Sequence, residues 1–177
     1  MTEAGATAPG IPGWLRRLYA APDHLYAAGL GRVFGHRLLR LTHVGRRSGQ
    51  VHHTVLEVVR YDGATGEATV VAAYGPSADW VRNVRAGGRV EVDLGHGPRP
   101  AAYRVVGVDE AVEVYAEYER RRRLVRPLLR RTMAYFLGWP FDGSPGAVRR
   151  LAEQLPMLAF RPATTDGRGG RVRGGQE

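Results

Sequence analysis

The sequence contains no cysteine and no lysine, and isoleucine occurs only once. Without cysteine there is no disulfide framework, no thiolate metal site and no thiol nucleophile, and the chain suits a reducing compartment such as the cytoplasm. Without lysine, all 26 basic residues are arginines, and a P-loop, which needs a Lys-Ser/Thr end before a helix, is excluded. No uninterrupted apolar run is long enough to span a bilayer. The first dozen residues also lack the basic and apolar regions of a signal peptide.

What is present is ordinary for a globular domain: 44% apolar and 24% charged residues over 177 positions. The net charge of +9 would suit a polyanionic partner. Ala, Gly, Arg and Pro are all abundant, as GC-rich codons produce, so part of that charge is compositional and its placement carries more information than its sum.

The apolar pattern changes period along the chain. Trp14, Leu18, Ala21, Leu25 and Ala28 recur at helical spacing, predicting an amphipathic helix bent at Pro22 that covers one side of the core. From Leu38 the segments LLRLTHV, VHHTVLEVVRYD, EATVVAAYG, RVEVDLG and PAAYRVVGV are short, Val-rich and bounded by Gly, Pro or Asp. Hairpin-sized linkers between most of them imply antiparallel pairing, a meander or small barrel. The pattern then returns to helix in DEAVEVYAEYERRRRL, VRPLLRRTMAYFLG and a short stretch from Ala147 to Gln154, before a closing strand, PMLAFRP. The organisation expected is α+β: a flexible N-terminal arm over residues 1–12, one domain over 13–162, and a disordered Gly/Arg tail over 163–177.

Two loops carry the chemistry. In the first, Gly45 and Gly49 bracket Arg46, Arg47 and Ser48, and His52, His53 and Thr54 follow at once. Glycines able to take positive φ turn the backbone sharply, and guanidinium forks plus a hydroxyl make a phosphate-sized donor set. The residues alone leave open a solvated hairpin with its arginines in water. In the second, Ala73, Tyr74 and Gly75 end a strand, Ser77 is placed to cap a helix starting near Ala78, and Trp80 and Asn83 follow. Exposed amides beside an indole and a carboxamide suit a flat polar heterocycle, although Trp80 as core and Ser77 as a simple cap is the plainer alternative.

Together, LTHVGRRSGQVHHTVLEVV and VVAAYGPSADWVRN resemble the deazaflavin-dependent nitroreductase family, from about Leu39 to Val106. The resemblance implies a split β-barrel of the kind that binds FMN, mainly antiparallel, with an N-terminal helix and C-terminal helices packed around it. It implies coenzyme F420 as cofactor, with FMN as the alternative, and a site built from Arg46, Arg47, Ser48, Gly49, His52, His53, Thr54, Ala73, Tyr74, Gly75, Trp80 and Asn83. The chain departs from the family pattern at His52 and His53, where arginines are usual, and at Val81, where Tyr is usual.

By the same resemblance the reaction is hydride transfer from the reduced deazaflavin to a quinone, a nitroaromatic or an activated enone. Tyr74 and Tyr135 are candidates for polarising or protonating the acceptor, with core packing as the competing role for each. The second reading is a non-enzymatic carrier of F420, flavin or haem on the same fold. A homodimer and weak peripheral contact with the inner membrane face are further expectations; a specific nucleic-acid partner is not, and no metal-ligand spacing is present. The arginine run Arg120 to Arg123, with Arg126, Arg130 and Arg131, reads by default as a solvated helix end. If His52 and His53 help hold a phosphate, cofactor affinity falls as pH rises from about 6 to 8, because imidazole loses its charge in that interval; a flat titration of the dissociation constant removes them from the site.

Overall fold

The computed structural model describes residues 35–163. The helix expected over Trp14 to Ala28 and the Gly/Arg tail lie outside the described residues. Among the described residues there are six strands: β1 Leu38–Val44, β2 Val51–Asp62, β3 Glu67–Val71, β4 Val90–Asp93, β5 Arg99–Val105 and β6 Met157–Pro162. Between and after them run α1 Asp79–Arg85, α2 Val108–Arg121, a single 3-10 turn Arg123–Val125, α3 Arg126–Leu137 and α4 Pro145–Gln154. The strands close into a barrel in the order β1-β2-β3-β6-β5-β4, every pairing antiparallel. This is the expected α+β barrel with helices packed against it.

Period-two alternation sets which face of each strand looks inward. Along β1, Leu39, Leu41 and His43 are buried and their neighbours are not. The strand β2 is long enough to pair with β1 through its first half and with β3 through its second, and a register shift between Val58 and Arg60 marks where it changes partner. The closing strand β6 is buried on both faces: Leu158 and Phe160 enter the barrel core with Leu39, Leu41, Val70 and Val92, while Met157 and Ala159 join a second cluster with Val114 and Tyr115 of α2 and Leu151 of α4. That is why PMLAFRP reads as a nearly continuous apolar run. Burying Phe160 alone contributes about 1.5–3 kcal/mol.

Element boundaries shift from the sequence reading where turn chemistry intervenes. The third strand stops at Val71, short of Tyr74, because the Gly75 N–H folds back on the Ala72 carbonyl at 2.8 Å and Gly75 takes φ +71°. Ser77 does not cap α1; Ala78 is the N-cap residue and no side chain caps that end. The α4 N-terminus is capped as such ends usually are, by Ser144, whose hydroxyl accepts from the Ala147 N–H at 3.3 Å.

A five-membered charge network fastens the outer wall. Arg104 of β5 donates to Glu67 of β3 at 2.7 Å and to Glu110 of α2 at 2.7 Å, Arg161 of β6 also reaches Glu67, and Arg60 of β2 reaches Glu110. Hydrogen bonding from Arg104, and then from Arg60, holds the Glu110 carboxyl down at about 2, and Arg104 likewise lowers Glu67. A carboxyl whose pKa is lower folded than unfolded stabilises the fold fully above its unfolded value and loses that contribution as pH falls. Stability therefore declines as pH drops from the ordinary Glu value of 4.5 toward about 2. Urea unfolding across this interval should show the decline, and Arg104→Met should flatten it; an unchanged slope would mean that the network adds nothing.

Candidate functional site

The hairpin between β1 and β2 is closed by two backbone bonds of 2.8 Å, Gly45 N–H to the Gln50 carbonyl and Gly49 N–H to the Gly45 carbonyl. Only Gly49 of the two bracketing glycines takes positive φ, at +65°. Gly45 is needed for a different reason: a Cβ there would sit 2.5 Å from the Ser48 hydroxyl oxygen and 2.9 Å from His52 Nε2. The absent side chain lets Ser48 and His52 fold in over the turn.

The two arginines part company. Arg46 lies back on α1, its N–H and its guanidinium both donating to the Asn83 side-chain oxygen at 3.2 and 2.8 Å, with a further bond to Asp79 at 3.0 Å. Arg47 is exposed and has no ion-pair partner among the described residues. The sequence reading has both guanidiniums presented alike; in the fold, Arg46 joins the two loops and Arg47 is the open cation.

Behind Arg46 stands a buried histidine that the sequence reading did not place in the site. His43, 3% exposed at the end of β1, accepts at Nδ1 from the Asn83 amide at 3.2 Å and bonds the Thr54 hydroxyl through Nε2 at 3.4 Å. Its ring lies 5.7 Å from that of His52. His53 is turned to Thr42, with 3.0 Å between Nδ1 and the hydroxyl oxygen. Burial first, then the nearby His52 and His53, holds His43 below its ordinary value, and Asp79 pulls the other way. The signal was available: His43 occupies the inward phase of Leu39 and Leu41, where a polar residue needs partners.

These groups line a cleft of about 720 Å³. Its lining brings together Gly45, Arg46, Arg47 and Ser48 of the turn, His43, His52, His53 and Thr54 of β1 and β2, and Tyr74, Ser77, Ala78, Asp79, Trp80 and Asn83 from the loop and helix after β3. Trp80 is both core and wall: it packs 6.5 Å from Phe160 in the barrel yet reaches the cleft. Tyr74 is 46% exposed at the rim. Ala73, Gly75 and Gly49 lie in the turns that shape the cleft and are not among its lining residues, and the amides of Gly75 and Ala78 are spent within their own turn. Tyr135 sits on α3, exposed, and does not line this cleft.

A second cleft, of about 790 Å³, opens at the other end of the β1–β2 hairpin, between His36, Arg37 and Tyr61 and the arginines that end α2. Three of the seven arginines of that run are paired: Arg121 with Glu117, Arg122 with Glu57 and over the Tyr118 ring, and Arg130 with Glu119. No residue of the glycine-bracketed turn or of the Trp80 loop lines it.

Comparison with known proteins bears on the same region. The family profile described as F420H(2)-dependent quinone reductase matches residues 14–128. No curated protein gives a significant match. Similar solved structures include a domain-swapped dimer, 17% identical, covering 84% of this chain and 97% of that one with a TM-score of 0.47. Another is an F420-H2 dependent reductase, 17% identical, covering 71% and 94% with a TM-score of 0.43. A third is an FMN-binding protein related to pyridoxamine 5'-phosphate oxidase, from Nostoc punctiforme, 13% identical, covering 86% and 82% with a TM-score of 0.40. The profile spans well over half of the sequence, including both loops of the cleft, and the chain belongs to the F420H(2)-dependent quinone reductase family, with coenzyme F420 as its cofactor.

Proposed function

We propose that the cleft between the β1–β2 turn and α1 holds coenzyme F420 and that the reaction it supports is reduction of a quinone, with nitroaromatics and activated enones as further acceptors. The observation that carries this reading is that Arg47 and Ser48 of the turn line the same cleft as Tyr74 and Trp80. The donor set fits the coenzyme's chemistry: a cationic end for its phosphodiester and acidic tail, and an indole beside a carboxamide for a flat polar ring.

When bound, the reduced coenzyme supplies a hydride. The protein's share is to grip and orient. Arg47 offers an unpaired fork to the anionic end, Arg46 and Asn83 fix the loop that carries it, and Trp80 provides an apolar wall that displaces water. Reduction of a quinone to a quinol also needs one proton, and Tyr74, exposed at the rim, is the side chain best placed to polarise the acceptor or deliver that proton. Tyr135 would take part only by way of a movement of α3. The altered His52 and His53 leave the site less cationic than a pair of arginines would. The chain works in the cytoplasm, as a homodimer, in this reading.

Two outcomes follow. Arg47→Ala weakens F420 binding by about tenfold to a hundredfold, the worth of a charge-assisted bond, with an unchanged melting temperature. Arg46→Ala also weakens binding and in addition loosens the turn, seen as faster amide exchange at Gly45 and Gly49; equal affinity for all three proteins by fluorescence titration contradicts the anchor. In the second, purified protein changes the F420 spectrum on mixing more strongly than that of flavin mononucleotide, and oxidises the reduced coenzyme when a quinone is added. Binding without turnover across a quinone panel would favour the carrier.

A further inference from the structure

We infer that His43 is a positioning residue: its unprotonated Nδ1 locks the Asn83 carboxamide in the one orientation that lets it hold Arg46, and so fixes the cationic turn before any ligand arrives. The effect on the coenzyme rests on the function proposed above; the lock itself does not.

The argument is one of donors and acceptors. The Asn83 oxygen receives two bonds, from the Arg46 N–H and the Arg46 guanidinium, and neither group can accept. The Asn83 nitrogen is thereby left facing His43 at 3.2 Å, where it can only donate. A bare Nδ1 satisfies it. A proton on Nδ1 would set donor against donor, and flipping the carboxamide would turn its NH2 onto Arg46, which also only donates. No arrangement satisfies all three groups once the imidazole is charged, and the site is too buried for water to repair it cheaply, since His43 is 3% and Asn83 5% exposed. The partner of Nε2, the Thr54 hydroxyl, can accept in the required tautomer.

The surroundings agree. His52 of β2 stands beside the ring, 5.7 Å away, and it and the more distant His53 oppose a positive charge there, while Arg46 stands beyond Asn83. Asp79 of α1 is the opposing influence, though it is exposed and engaged with Arg46. From β4 the residue paired with His43 is Val90, and the next, Glu91, is bonded to Arg89. Burial, His52 and His53 keep the ring neutral to lower pH than an ordinary imidazole. Sign follows: the unfolded chain takes up the proton first, so the contribution to stability is present above the ordinary value of 6.5 and fades as pH falls from there through the lowered folded value, where the lock itself opens. This slope is opposite to the one expected if His52 and His53 bind phosphate as cations.

The test is 15N imidazole spectroscopy of the full chain combined with an acid titration. At about pH 7.5 the His43 Nδ1 should be bare and Nε2 protonated, and on acidification the Arg46 amide should move in the same step as His43. In His43→Asn, whose uncharged side-chain oxygen can accept from Asn83, the Arg46 amide should keep its native position and the step should vanish. In His43→Leu the amide should be displaced at every pH. F420 affinity in the natural protein should fall on acidification through that step by about tenfold, and stay level in His43→Asn. A proton on Nδ1 at about pH 7.5, or an Arg46 amide indifferent both to the titration and to His43→Leu, overturns the assignment. If the amide behaves as stated but F420 binds at no pH, the lock stands and the proposed function fails.

Discussion

The bond between the Arg46 guanidinium and the Asn83 side-chain oxygen, 2.8 Å long and spanning 37 residues of sequence, is the contact on which the site depends. It joins a turn of the β1–β2 hairpin to a helix that follows β3. The Arg46 N–H bond to the same oxygen and the Arg46–Asp79 ion pair join the same two loops, which line one cleft, and Arg47 is left exposed with no ion-pair partner among the described residues. In the function proposed, one arginine serves structure so that the other can serve binding.

The barrel supplies the rigidity this contact needs. Helix α1 is only seven residues long and would be marginal alone, yet Trp80, Val81 and Val84 insert into the barrel core and hold it in place. On the other side, β1 is paired along its length with β2 and from Arg40 to His43 with β4, so His43 cannot shift without disturbing both ladders. In the function proposed above, the chemical demand on the protein is modest, since the coenzyme would supply the hydride, and what the fold would provide is a fixed placement of the cationic turn relative to Trp80.

Much of this was legible in the sequence because it is local. The change from helical to alternating spacing at Leu38, the Val-rich segments and the hairpin-sized linkers carry the six strands and their antiparallel order, and the doubly buried β6 announces itself as an apolar run. The glycine-bracketed turn was legible as a turn. Less visible was the division of labour within it: adjacent arginines look equivalent until α1 is folded against one of them. Gly45 was legible as permissive but not as a close-packing glycine, since what a Cβ would strike there, Ser48 and His52, is a matter of three dimensions. His43 shared its inward phase with two leucines and could have been suspected, but its partner Asn83 lies 40 residues away. The second, larger cleft shows the converse: a dense arginine run is conspicuous in sequence, and the fold pairs three of its members with glutamates.

The most direct measurement of the central claim is a crystal structure of the protein with coenzyme F420 bound. The phosphodiester should lie within hydrogen-bonding reach of the Arg47 guanidinium, the ring system beside Trp80 and Tyr74, and Arg46 should still be bonded to Asn83. Coenzyme found instead in the arginine-lined cleft between Arg37 and the end of α2, with the turn's cleft empty, would contradict it.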